Sequence, residues 1–212
     1  MTQSRWIVML CVLGVLLGSS SRTDAGWFSS GDDLHEYQGA DAGVLALSLG
    51  AYKEANYSVY KLIFRTREKT KTGRLTYNPR ARPDYSNDYI AGAVRTYSLT
   101  PGDYEIYDLE IFYTNGFVQE TFSSKEPFSI PFTIKPKQTI YLGEFRAMPM
   151  SRPSLLLLGL PVPAGAKFQL SDQSERDIPI ARTQNSRVTN VEIKIPEPPN
   201  PLFERVPTNG RS

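Results

Sequence analysis

The stretch Phe128-Ser129-Ile130-Pro131-Phe132-Thr133-Ile134 puts a large apolar side chain at every second position, with serine, proline and threonine between them. Successive side chains of an extended backbone point to opposite faces, so this stretch predicts a strand with one buried and one solvated face. Pro131 has no N–H to give to a ladder, which predicts that the strand lies at a sheet edge or is bulged there.

The same alternation recurs on both sides. Leu45, Leu47 and Leu49 oppose Val44, Ala46 and Ser48, and Tyr60, Leu62 and Phe64 oppose Lys61 and Arg65. Phe168 and Leu170 alternate with Lys167 and Gln169, and Val191, Ile193 and Ile195 with Glu192 and Lys194. Further strands are expected over Tyr89–Leu99, Asp103–Tyr113, Thr139–Arg146 and Leu155–Val162, with tight turns at Pro101-Gly102 and Ala164-Gly165. About seven to nine short strands with little helix predict an all-β fold, a single antiparallel β-sandwich. Asp172 and Glu175 have capping-box spacing, which predicts one short helix near the C-terminus, limited by Pro179. The run Leu155-Leu156-Leu157-Leu158 reads as a strand buried on both faces, with a membrane-inserting or partner-binding stretch as the alternative.

The chain has 212 residues, 40% apolar and 22% charged, with 16 prolines and 15 glycines, which suits one turn-rich domain with terminal extensions. Arg5 followed by the apolar run Trp6–Leu17 and the small residues Gly18 to Ser21 predicts a signal peptide over residues 1–25. Cleavage is placed near Ser20 or after Ala25, with retention as an anchor the alternative. Cys11, the only cysteine, lies inside that run behind Leu10, which does not suit lipid attachment. Residues 26–42, rich in Gly, Ser and Asp, read as a flexible lead-in, residues 43–195 as the sandwich, and 196–212 as a disordered proline-rich tail. Loss of Arg5, Arg22 and Asp24 with the leader leaves 22 basic and 21 acidic residues, a balance that gives no long-range steering.

Two segments carry a resemblance. Leu99-Thr100-Pro101-Gly102-Asp103-Tyr104-Glu105-Ile106 is an L-x-P-G-x-Y-x-I turn into a strand, and Phe132 to Gly143 is a strand, a turn and a second strand. Together they resemble uncharacterised exported bacterial proteins with a transthyretin-like or carboxypeptidase-regulatory-like β-sandwich. The resemblance spans roughly residues 43 to 195 and implies a sandwich with a short C-terminal helix after Ser171 and no known catalytic residues. Lys137 stands where that second turn usually has glycine.

The chemistry on offer is narrow. Without cysteine beyond Cys11, the domain has neither disulfides nor thiol chemistry. His35 is the only histidine and lies in the lead-in, where it lacks the rigid orientation a catalytic base needs, so no zinc or triad site is expected and no cofactor is implied. Asp108 and Glu110 lie two apart on a strand, about 7 Å from each other on one face. That is a spacing for a glycosidase pair or a hard cation, and equally for two solvated side chains. Asp32, Asp33 and Glu36 lack the spacing of a calcium loop. Asn56-Tyr57-Ser58 is a glycosylation sequon in a eukaryotic host.

The strongest surface feature is a basic hairpin, Arg65, Arg67, Lys69, Lys71, Arg74, Arg80 and Arg82, a candidate for binding an anionic glycan or lipid headgroup. The alternative is a charged edge that keeps the sheet from pairing. Tyr77, Tyr85 and Tyr97 are candidate stacking platforms for sugars. The expected function is therefore non-catalytic binding of another envelope protein or a surface glycan, with peripheral membrane association open and nucleic acid disfavoured by export. A carbohydrate-binding module and a carboxylate-dependent hydrolase are the alternatives.

Overall fold

The structure, a computed structural model, describes residues 33–53, 59–114, 119–153 and 161–206. The leader, the sequon at Asn56 and the Leu155–Leu158 run lie outside the described residues.

Two sheets face each other. The larger contains β1 (Gly43–Tyr52), β4 (Tyr85–Ser86), β5 (Ile90–Leu99), β9 (Thr139–Pro153), β10 (Pro161–Ser171), β11 (Val191–Ile193) and β12 (Phe203–Arg205). Its order is β12-β10-β9-β1-β5-β4, with β11 paired to the start of β9. The smaller contains β2 (Val59–Thr66), β3 (Thr72–Tyr77), β6 (Gly102–Thr114), β7 (Gln119–Ser123) and β8 (Ile130–Ile134), in the order β3-β2-β6-β7, with β8 also on β6. A single helix, α1 (Ser174–Gln184), lies among the described residues.

The expected all-β sandwich with one short helix is the observed fold. Most pairs are antiparallel, but β1 runs parallel to β9, β11 to β9 and β12 to β10. β7 and β8 lie end to end along β6, so β8 is an edge strand and Pro131 sits in it opposite Glu105, as its missing N–H requires.

The core lies between the sheets. Leu45, Leu47 and Leu49 meet Leu62, Phe64, Leu109 and Ile111 from the smaller sheet, all fully buried or nearly so. Phe132 stacks on Tyr104 with centroids 5.6 Å apart and meets Phe64 edge-on at 6.4 Å. Each such side chain contributes about 1.5–3 kcal/mol by leaving water.

Three local readings change. Ala164-Gly165 is not a turn between strands: it is a bulge inside β10, where the register slips between Pro163 and Ala166 and Gly165 takes φ +103°. The lead-in is packed wherever it is described, because Leu34 N–H donates to the Thr72 carbonyl and Tyr37 N–H to that of Ser98. The tail is likewise not free as far as Val206. β12 pairs with β10, and Phe203, only 4% exposed, inserts between Phe128 and Phe168 at 4.9 and 5.9 Å. An apolar anchor outweighed the extended bias of the prolines before it.

Candidate functional site

β2 and β3 form the expected hairpin, with Tyr60, Leu62 and Phe64 facing Leu75 and Tyr77 in the core. Arg65 and Arg74 therefore point outward. Arg65 pairs with Glu105 at 2.7 Å and lies over the Tyr107 ring at 3.9 Å, and Arg74 reaches Asp33 at 2.7 Å. Arg67 lies 3.8 Å from Asp103. Lys69 and Lys71 are exposed at the hairpin tip, and Arg80 and Arg82 are exposed in the loop after β3. None of these four makes an ion pair among the described residues. The sequence cluster is thus two groups at opposite ends of β3, whose six residues span roughly 20 Å.

The three tyrosines are not exposed platforms. Tyr77 is 2% exposed and stacks on Tyr60. Half-buried Tyr97 packs edge-on against Phe64 and donates its hydroxyl to the Leu34 carbonyl. Tyr85 is half-buried under the Arg176 guanidinium, 3.4 Å from its ring centroid. Burial raises the pKa of all three, helped at Tyr85 by the Glu144 charge. Among the described residues the exposed aromatic is Tyr89, 72% accessible, in the turn between β4 and β5.

Asp108 and Glu110 do share the outer face, but each is engaged. Asp108 accepts from the N–H groups of Leu109 and Ser124, and Glu110 pairs with Lys61 at 2.8 Å. A register shift beside Ile63 turns Tyr107 outward as well, where an uninterrupted strand would have buried it. Among the described residues no group of three His, Cys, Asp or Glu side chains is placed to hold a metal ion.

The most organised polar site is one that alternation conceals. Counting by twos from Ile140 and Leu142 sends Glu144 into the core. Gly143 takes φ +93° and the pairing with β1 slips between Ala46 and Ser48, so Phe145 points inward and Glu144 outward. Glu144 and Tyr141 then share the face beneath α1. The Glu144 carboxylate, 0% exposed, accepts from Tyr85 at 2.7 Å, Ser171 at 3.3 Å, Arg176 at 3.4 Å and Arg146. Asp177 on α1, also 0% exposed, accepts from Ser48 and Tyr141 at 2.5 Å each and from Arg176 at 2.7 Å. Room for this layer comes from Gly92, where a Cβ would fall 2.1 Å from the Tyr85 hydroxyl.

Two carboxylates and two guanidiniums leave the layer neutral, and their shared hydrogen bonds offset the cost of burying charge. Burial, with the neighbouring Asp177 charge, pushes the Tyr141 pKa far above the ordinary tyrosine value. Burial disfavours the charged form of Arg176, yet the Asp177 hydrogen bond and the surrounding carboxylates outweigh it and raise its pKa. The Arg146 Nε finds no partner among the described residues. With both carboxylates sealed from solvent and saturated by donors, the layer is suited to fixing α1 rather than to receiving a substrate.

α1 begins at Ser174, later than the capping box implies, with Asp172 accepting from the Ser174 N–H. It also runs through Pro179, which lies on its exposed face. No helix among the described residues is long and apolar enough to cross a membrane.

No protein-family model matches the chain, and no curated protein matches it. A solved leucine-rich repeat protein from Bacteroides thetaiotaomicron aligns with 50% of this chain and 14% of its own, at 13% identity and a TM-score of 0.32, a likeness too weak to carry an argument.

Proposed function

We propose that this chain is an exported, non-catalytic β-sandwich that binds an acidic surface of another envelope protein through the tip of the β2–β3 hairpin. The observation that carries this is the state of its charges. Arg65, Arg67 and Arg74 have carboxylate neighbours within ion-pair distance, whereas Lys69 and Lys71 are exposed at the tip and make no ion pair among the described residues. Exposed cations at the tip of a paired hairpin suit charge-complementary docking, which mainly sets the encounter rate and the partner's orientation. Export rests on the leader read in residues 1–25, and the resemblance to exported transthyretin-like sandwiches agrees with it.

The test is recovery of crosslinked partners from the envelope fraction with Lys69→Glu/Lys71→Glu against the parent. Loss of a specific partner, with unchanged thermal stability, supports the reading; identical recovery refutes it. The carbohydrate reading rests on Tyr89, since the three tyrosines nominated for it are buried or half-buried, and glycan titration of Tyr89→Ala tests it.

A further inference from the structure

On the side away from the β2–β3 hairpin, the smaller sheet ends at β7 and the larger at β10 and β12. A cleft of about 320 Å³ lies there. Its floor is the core itself, Leu109 and Ile111, and its walls include Phe122, Met150, Ala166 and Leu202. The polar groups lining it are Ser123, Lys125, Glu126 and Lys167. Lys125 and Lys167 are exposed, and neither makes an ion pair among the described residues.

From this juxtaposition we infer that the cleft is a binding site for a single-chain anionic amphiphile, its hydrocarbon on Leu109 and Ile111 and its headgroup between Lys125 and Lys167. The volume equals roughly ten water molecules at about 30 Å³ each, but ordered water needs two to four polar partners and the floor supplies only hydrocarbon. Small-molecule sites characteristically combine an apolar cavity of this size with a few placed polar groups. Two lysines against one glutamate give the lining an excess of positive charge, which selects an anionic head over a cationic one. The site lies on the edge opposite the hairpin tip and does not depend on the function proposed for that tip.

Calorimetric titration of the full chain with sodium dodecanoate, below its micelle concentration, tests the inference. Saturable one-to-one binding is expected, weakening roughly tenfold on removal of two methylenes in decanoate. Dodecylammonium is expected to bind at least tenfold more weakly than dodecanoate, and Lys125→Glu/Lys167→Glu to reverse that preference. Ala164→Trp, which fills the cleft from the β10 bulge, is expected to abolish binding while circular dichroism and the urea midpoint remain those of a folded protein. Three results each overturn the inference: no saturation with dodecanoate, equal affinity for the two headgroups, or full binding by a folded Ala164→Trp variant. Sedimentation with phosphatidylglycerol vesicles in the absence of dodecanoate binding overturns it in favour of a bilayer surface.

Discussion

Replacing Asp177 with alanine removes the acceptor for three donors: the Ser48 hydroxyl, the Tyr141 hydroxyl and the Arg176 Nε. Two of these lie on the face of the sheet sealed by α1, and a buried donor left without an acceptor costs about 1–3 kcal/mol. The Arg176 contribution is smaller, because its side chain is 29% exposed and keeps Glu144 at 3.4 Å. The sum falls at about 3–5 kcal/mol, the range for breaking a buried ion pair from one side. With a urea slope near 2 kcal/mol per molar for a small domain, the midpoint falls by about 2 M. Asp177→Asn keeps the shape and one acceptor oxygen, so its loss should be intermediate. Urea titration followed by far-UV circular dichroism measures both, and a double-mutant cycle of Arg176→Met with Asp177→Ala should show about 1–3 kcal/mol of coupling. A midpoint shift below about 0.3 M for Asp177→Ala would refute the argument: the hydroxyls would then be finding water, and the layer would not be what holds the helix.

Three further outcomes follow from other parts of the molecule. The raised pKa values of Tyr85 and Tyr141 mean that the folded chain keeps protons the unfolded chain loses above about pH 10. Each of the two should thus contribute a fall in stability of up to about 1.4 kcal/mol per pH unit above that pH, and Tyr141→Phe should remove one such share from the slope of an alkaline urea series. Lys137 holds φ +55°, so Lys137→Gly should be neutral or stabilising by up to about 1 kcal/mol, and Lys137→Val destabilising by more than that in thermal melts. Phe203→Ala should cost about 3 kcal/mol, and truncation after Ile195 at least as much; unchanged urea midpoints in both would show that the β12 segment adds nothing to the domain.

Alternation made the sandwich legible, because it reports directly which side chains leave water. It places Leu45 through Leu49, Tyr60 through Phe64 and Phe128 through Ile134 correctly. It also held the clue to Tyr77, which is in phase with Gly73 and Leu75 and out of phase with Arg74, and so had to face inward. What alternation does not report is a change of phase. Gly143 and the shift beside Ile63 each reset the count, and the most ordered polar layer depends on the first of them. The basic cluster misled for a different reason: an extended chain separates neighbours in sequence by 3.3 Å per residue and brings distant carboxylates to their side, as Glu105 is brought to Arg65. Nothing in the sequence around Arg176 and Asp177 points to partners, which lie on strands far away in the chain, such as Ser48 and Tyr141.

The placing of β1 has a kinetic consequence. It sits in the middle of the larger sheet, yet one of its two neighbours is β9, where Val44 meets Thr139 ninety-five positions later. That sheet is completed only after most of the chain has been made, and closing so long a loop before any reward slows the search. A polypeptide with this connectivity lingers unfolded after synthesis. On the export proposed above, such a delay would keep the chain threadable until the far side of a membrane is reached.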